Sequence, residues 1–305
     1  GGTSALSMLL AYVAAKRMRA VVVAAGNEAN ARRHYLGNLA PMQEYEEVEI
    51  SVGDNIRGFT AELLTNSPEV VSVAVQSPTG ERQPLIPARQ GTSEEYRFLL
   101  EGTTVSISYS LGEFTREREL IFLRFTNPSK GIWRLRVYPE NYVSGRYHIW
   151  LPVTEFVQGD LFFLRSNPET TITGPASAYA PISVGGFHAA DNSLYLDSGR
   201  GYDIDNQVKP DFLAPAVEVF GPDLTGNFTR RTGTSAAAAV TAGAAAQLLE
   251  WGVVRGNSSS MNNALIKNYL LVGTDKTPGR VYPNPEEGYG RLNVYKAFTN
   301  MRRTT

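Results

Sequence analysis

The sequence predicts an α/β protein that is interrupted by a block of antiparallel β-structure. Short apolar strands alternate with helical segments near both ends of the chain, whereas the middle shows only period-two alternation between turn signals. The length of 305 residues agrees with two domains, since one domain takes roughly 150 residues.

The first predicted elements are an amphipathic helix and then a strand. Ser4 precedes the helix and is suited to cap it, because a serine hydroxyl can accept from free N–H groups of the first turn. The apolar residues of this helix recur at helical spacing: Leu6, Leu9, Leu10 and Val13. The run "AVVVAAG" (20–26) is short, apolar and β-branched. It predicts a strand that is buried on both faces of a parallel sheet.

The middle of the chain alternates apolar and mostly polar residues. The clearest alternating triplets are Val48, Ile50 and Val52; Val71, Val73 and Val75; Val105, Ile107 and Tyr109; Trp133, Leu135 and Val137; and Tyr147, Ile149 and Leu151. Turn signals such as "NSP" and "NPSKG" separate them. We therefore predict that residues 41–171 form a jelly-roll β-sandwich, inserted into one discontinuous α/β domain of residues 1–40 and 172–305.

Beyond the insert the α/β pattern returns. "APISVGGF" (180–187) and "KPDFLAP" (209–215) predict buried strands, and residues 234–251 predict a long alanine-rich helix. A membrane helix is disfavoured, because Thr, Ser, Gly and Gln are spread through this segment and charged residues flank it. Small residues instead allow a helix to pack closely against a sheet, so a core helix is predicted.

Composition excludes several classes of function. A net charge of −1 without basic runs argues against nucleic-acid and membrane-surface partners. Zero cysteines exclude disulfides, zinc–thiolate sites and cysteine nucleophiles. No Asp/Asn-rich loop has calcium-ligand spacing, so we predict no metal. Nothing in the composition identifies the compartment.

The start of the alanine-rich helix, "GTSAAAAVTAG" (233–243), places Ser235 in a first helical turn. Backbone N–H groups there lack helical partners and the helix dipole is positive, which suits a nucleophile next to a developing oxyanion. A serine at this position can equally be a helix cap, and the motif alone does not distinguish the two roles.

Three segments together resemble the subtilisin family. "GTSAAAAVTAG" is similar to its nucleophile segment, "AAGNE" (24–28) to its oxyanion-hole segment, and "KPDFLAP" to the strand between them. The inserted β block, with "WGVVRGN" (251–257) and "IKNYLLVGT" (266–274), resembles the clostridial spore-germination proteases, which are subtilases with a jelly-roll insert. The resemblance implies the C-terminal part of a subtilisin-like domain.

The resemblance also implies site residues. Ser235 would be the acylating nucleophile of a serine endopeptidase. Asn27 and the Ser235 backbone N–H would bind the oxyanion, and Ala24, Ala25 and Gly26 would form one wall of the substrate pocket. It implies no cofactor. The substrate would be a protein or peptide, for which the family suggests a cortex-lytic precursor protein, and the protein would then be spore-associated.

The sequence departs from the family where the general base is concerned. Subtilases place Asp and His before the oxyanion Asn, whereas here Asn27 comes before every histidine. We expect His34 on a loop at the insert junction, His148 on the surface of a strand, and His188 after a strand. None is expected to be the base, so Asp and His are expected in a missing N-terminal segment, without which the chain is not expected to be active. The alternative is a non-catalytic pseudoprotease that acts as a scaffold or signalling protein in germination.

Aromatic residues of the insert have two possible roles. Tyr109, Trp133, Tyr138, Tyr142 and Trp150 could present a surface for carbohydrate or protein, or they could pack the sandwich. Packing is the simpler expectation.

Overall fold

The computed structural model describes residues 4–112 and 118–301. The chain forms two compact units: the first comprises Gly1–Asn30 and Pro168–Thr305, and the second comprises Ala31–Asn167. Both unit boundaries therefore lie earlier in the chain than the expected 40/41 and 171/172. The reason at the first boundary is that His34–Asn38 forms a strand that pairs with Arg146–Trp150 of the insert.

The helices and strands of the described residues are as follows. The helices are α1 (Ala5–Ala14), α2 (Thr234–Leu249), α3 (Asn263–Val272) and α4 (Val294–Met301), with a 3-10 turn at Thr154–Phe156 and a π-helical turn at Glu250–Val254. The strands are β1 (Val22–Ala24), β2 (His34–Asn38), β3 (Glu46–Val52), β4 (Gly58–Asn66), β5 (Val70–Gln76), β6 (Ser93–Phe98), β7 (Thr103–Leu111), β8 (Arg118–Thr126), β9 (Gly131–Asn141), β10 (Arg146–Trp150), β11 (Leu161–Phe163), β12 (Ile182–Phe187), β13 (Phe212–Pro215), β14 (Val219–Pro222) and β15 (Phe228–Arg231).

The first unit contains a parallel sheet with the order β1-β12-β13. Helix α2 packs against all three strands, and its inward face consists mainly of small residues: Thr234, Ala237, Thr241, Ala244, Ala245 and Leu248. By length and composition, Thr234–Val254 could cross a membrane. Its packing against the sheet is that of a core helix, as the small residues predict.

Strand β1 is less buried than expected. The prediction of a strand buried on both faces is wrong, because Val22, Val23 and Ala24 are only half-buried. Strand β1 lies at the edge of the sheet and pairs only with β12 among the described strands. One of its edges therefore lacks the neighbour that its apolar sequence suits.

Helix α1 begins as predicted, but the four apolar residues that predicted it are not its buried ones. Ser4 caps the helix through a 3.1 Å hydrogen bond from the Ser7 backbone N–H. Leu6 and Leu9 are about half exposed, at 49% and 56%. Periodicity thus predicted the helix, whereas its burial depends on surfaces that lie outside the helix.

A buried ion cluster joins β12 to the segment before β13. Asp211 accepts a 2.7 Å hydrogen bond from the Ser183 backbone N–H and lies 2.6 Å from the ammonium of Lys267. Lys209 lies 3.4 Å from the same carboxylate, and burial lowers its pKa to about 8. The "KPD" residues therefore fix the register of two neighbouring strands.

The second unit is an antiparallel sandwich. One sheet has the order β2-β10-β4-β8-β7-β6 and the other β11-β3-β9-β5. Strand β2 pairs with β10, β3 with β9 and β4 with β8, alternately in the two sheets. This pairing agrees with the inserted antiparallel β-structure that the sequence predicts. The alternating triplets named above point inward into one apolar core.

The aromatic residues of the insert mostly serve packing. Trp133 and Tyr109 are buried, so these two residues pack the sandwich, which was the simpler expectation. Tyr138 packs on Tyr45, and Trp150 stacks on two buried histidines. Tyr142 is the exposed member of the group.

Candidate active site

The turn that follows β1 is held on two sides. The carbonyl oxygen of Ala25 accepts a 2.9 Å hydrogen bond from the Thr173 backbone N–H. The carbonyl oxygen of Gly26 accepts a 2.8 Å hydrogen bond from the Gly199 backbone N–H. Ala25 is fully buried, while Ala24 and Gly26 are half-buried. The backbone that leads to Asn27 is therefore fixed.

Gly26 cannot be replaced without strain. Its φ of +98° lies in the region that side chains disfavour, and an added Cβ would lie 2.3 Å from Thr173 Cγ2. The close approach of Thr173 thus requires the glycine of the predicted oxyanion-hole segment.

Thr234 connects this turn to α2. Its hydroxyl accepts a 3.1 Å hydrogen bond from the Gly26 backbone N–H and donates to Asn27 Oδ1 at 3.1 Å. Its own backbone N–H donates to the same Oδ1 at 2.9 Å. Thr234 is fully buried, so its end of these bonds is shielded from water. Asn27 and the first turn of α2 are therefore brought together at one point.

The amide of Asn27 has a defined orientation. An N–H group can donate only to the carbonyl oxygen of an amide, so the Thr234 N–H fixes which side-chain atom is Oδ1. The Nδ2 group makes no hydrogen bond to any residue that the structure describes. It is therefore a donor available to an incoming acceptor.

Ser235 is exposed and follows Thr234 directly in the first turn of α2. Gly233 precedes the helix with φ +140°, and an added Cβ there would lie 3.5 Å from Asn27 Nδ2. No charged side chain occupies the first turn, so the helix dipole is not neutralised locally. The Ser235 hydroxyl, the Ser235 backbone N–H and the Asn27 amide donor thus lie in one small region.

Two of the three histidines lie in places that differ from those expected. His34 is buried at the start of β2 rather than on a loop, and His148 is buried rather than on the surface. The two rings share a 2.9 Å hydrogen bond between His34 Nε2 and His148 Nδ1. Strand alternation predicted the outward face for His148, but β10 is buried across three consecutive residues. His188 lies beyond β12, as expected, and its Nδ1 is 3.9 Å from Asp191 Oδ1.

Within residues 4–112 and 118–301, no group of three His, Asp or Glu side chains is arranged to hold a metal ion.

Of the residues that fix the site, sequence reasoning missed Thr234 and Thr173. Thr234 stands between two residues of the recognised motif, which is a signal that could have found it. Thr173 is distant in sequence and carries no local signal.

The comparisons with known proteins match parts of the chain to subtilases. The sequence pattern of the subtilase family matches residues 159–290, which include Ser235. A search of curated proteins gave no match. The structure of the CspB protease of Clostridium perfringens superposes with a TM-score of 0.90 at 28% identity, covering 99% of this chain and 63% of that one. The chain thus spans less than two thirds of that protease.

Two further structures match smaller portions. The prenylagaramide maturation protease PagA has 26% identity and a TM-score of 0.37, covering 43% of this chain and 46% of that one. The patellamide maturation protease PatA also has 26% identity, with a TM-score of 0.38, covering 44% and 48%. The subtilase family pattern thus covers residues 159–290, and nearly the whole chain has a fold similar to that of CspB.

Proposed function

We propose that the chain is part of a subtilisin-like serine endopeptidase in which Ser235 is the nucleophile. The observation that carries the proposal is the Thr234 connection, which brings Asn27 to the helical turn that bears Ser235. A structural serine cap does not need a distant asparagine amide held next to it. Such an amide does suit the binding of an oxyanion.

The chemistry follows from these groups. The Ser235 hydroxyl attacks the carbonyl carbon of a peptide bond while a base removes its proton. The negative charge on the carbonyl oxygen is stabilised by Asn27 Nδ2 and the Ser235 backbone N–H. Collapse of the tetrahedral intermediate breaks the C–N bond, and the protonated base gives its proton to the leaving amine. Water then hydrolyses the acyl-serine by the same route.

The general base and its carboxylate are proposed to come from a segment outside these 305 residues. His34 and His148 are engaged with each other, and no hydrogen bond joins His188 to Ser235 among the described residues. One edge of β1 has no partner among the described strands, and apolar side chains of α1 are exposed. Both surfaces support such a segment, because a neighbouring strand or helix could cover them.

The substrate is proposed to be a protein or peptide. Ala24 and Gly26 are half-buried and lack bulk, which supports their place in the wall of a pocket for a substrate side chain. Ala25 is fully buried, so its contribution would be to hold that wall from behind. A cortex-lytic precursor protein as the physiological target, and an association with spores, also remain proposals from the family resemblance.

Labelling by a fluorophosphonate tests the nucleophile. The chain is combined with the segment that carries Asp and His, and labelling is located by mass spectrometry, with Ser235→Ala as the control. We expect modification of Ser235 in the wild-type protein and none in the variant. Absence of labelling, with a normally labelled subtilase in parallel, would favour the pseudoprotease scaffold instead.

A further inference from the structure

The hairpin of β14 and β15 exposes two aromatic rings. Phe220 and Phe228 are 66% and 63% exposed, and their rings stack with centroids 5.1 Å apart and planes 13° apart. Leu224, in the turn between the strands, is fully exposed. An isolated two-stranded hairpin is marginally stable in water, so other contacts must order it.

Polar contacts at both ends of the hairpin order it. In the turn, the Asp223 carboxylate accepts hydrogen bonds from the backbone N–H groups of Thr225 and Asn227, at 2.8 and 2.9 Å. At the base, the Glu218 N–H donates to the Thr232 hydroxyl at 3.0 Å. These contacts do not involve the rings, which are therefore available for a ligand.

The two rings lie on one face of the hairpin. Phe220 is opposite Arg230, and Pro222 is opposite Phe228. Alternate residues of a strand share a face, so the rings, Pro222 and Arg230 lie on the same side. The guanidinium of Arg230 pairs with Glu218 at 3.1 Å. The centre of the face is thus apolar, and the charge of Arg230 is paired. Such a face suits an apolar ligand better than a ligand with an anionic surface.

The hairpin leads directly into the candidate active site. Strand β15 ends at Arg231, and the chain from Phe228 to Ser235 can span at most about 25 Å. The hairpin follows β13, which lies at the opposite edge of the sheet from β1. Asn27 and the proposed pocket wall follow β1. The Gly233 backbone N–H donates to the carbonyl oxygen of Ala216, just after β13, at 2.8 Å, so the base of the hairpin and Asn27 meet the start of α2 from opposite edges of the sheet.

We infer that the face of Phe220 and Phe228 binds a bulky apolar side chain of the substrate, on the leaving-group side of the cleaved bond. This inference rests on the proposed function of Ser235. A peptide whose acyl side lies toward β1 continues past Ser235 toward β13. Extended peptide advances about 3.3 Å per residue, so the rings are within reach of the first several residues after the cleaved bond.

A positional scan of peptides tests the inference in the protein completed with its Asp and His segment. In alanine-rich peptides with one cleavage site, a single Phe is moved stepwise along the leaving side and kcat/KM is measured. We expect one position at which Phe raises kcat/KM by about 3- to 10-fold, the range that an aromatic pair contributes. Phe220→Ser and Phe228→Ser should each remove this preference, and Phe220→Tyr should retain it.

The controls separate this inference from the proposed function. Phe156→Ser alters an exposed phenylalanine of the second unit and should leave the preference intact. Labelling by a small fluorophosphonate, which does not extend to the hairpin, should be the same in all variants. If Ser235 is not labelled, the proposed function fails, and the same peptides are then compared by fluorescence anisotropy.

In both the kcat/KM and the anisotropy measurements, a phenylalanine preference that survives both serine substitutions overturns the inference. The lack of any preference overturns it as well. Self-association that the two substitutions abolish, without a peptide preference, would instead assign the face to a second copy of the chain.

Discussion

The backbone N–H of Thr234 donates to the side-chain oxygen of Asn27 at 2.9 Å, although 207 positions separate the two residues. The bond uses the acceptor end of the amide and leaves the donor end for another group. It therefore both positions and orients Asn27. The following predictions separate these effects in the protein completed with its Asp and His segment.

Asn27→Asp should abolish turnover while preserving the turn. A carboxylate can still accept from the Thr234 N–H, but it cannot donate to an oxyanion. We expect kcat to fall by at least about 100-fold, which is the lower end of the effect when subtilisin itself loses its oxyanion-hole asparagine. Steady-state kinetics with a peptide substrate measures this. Asn30→Asp, in an exposed position of the same loop, is the control, and a loss of less than tenfold for Asn27→Asp would contradict the assignment.

Thr234→Val should weaken both the fold and the site. Valine is similar in shape but leaves the Gly26 N–H without its acceptor. An unsatisfied buried donor costs about 1–3 kcal/mol, so the free energy of unfolding should fall by that amount. Labelling of Ser235 should also slow, because Asn27 loses one of its two donors.

Thr234→Ser is the matched variant, since it keeps the hydroxyl. Denaturant unfolding and fluorophosphonate labelling of both variants check the prediction. Equal behaviour of the valine and serine variants would show that the hydroxyl does not position Asn27.

The sequence indicated the candidate residues of the site, but not the hydrogen bonds that connect them. The segments "AAGNE" and "GTSAAAAVTAG" indicated Asn27 and Ser235 through local motifs. The hydrogen bonds of Thr234 and Thr173 depend on how distant segments meet, and no local pattern encodes that. The alternating triplets of the sandwich are all buried because each strand has two defined faces.

The predictions of burial were wrong where burial depends on neighbours outside the strand itself. Strand β1 was expected to be buried on both faces, yet it is an edge strand. His148 was expected outside, yet β10 lies between β2 and β4, and His148 hydrogen-bonds and stacks with the buried ring of His34. Period-two alternation cannot report such contacts, because they are made by other strands.

Gly26→Ala should be strongly destabilising for two separable reasons. The positive φ alone costs roughly 1 kcal/mol, and the clash with Thr173 Cγ2 adds to it. Thr173→Ser removes that methyl group but keeps the hydroxyl. In the double variant the clash should be relieved, and about 1 kcal/mol of the loss should remain. Denaturant unfolding of the two single variants and the double variant measures the coupling, and strictly additive effects would exclude the clash.

The paired histidines of the second unit predict acid sensitivity. His34 Nδ1 lies 3.2 Å from the Asn167 carbonyl oxygen, so it donates there in the neutral ring and Nε2 accepts from His148 Nδ1. Burial, with His34, Arg146 and Arg118 nearby, lowers the pKa of His148 to about 3. In the unfolded chain its pKa is about 6.5. The unfolded state therefore binds a proton that the folded state excludes, between these two values.

Stability of the second unit should consequently fall as the pH drops below about 6.5. One such group contributes a slope of about 1.4 kcal/mol per pH unit. His148→Phe removes the titrating ring but keeps an aromatic stack, so it should be less stable at pH 7 through the lost hydrogen bond and show a shallower acid slope. Urea unfolding from pH 7 to pH 4.5 measures both quantities. His188→Phe, which alters the first unit, provides the control and should keep the wild-type slope of the second unit. An unchanged slope in His148→Phe would mean that other groups cause the acid sensitivity.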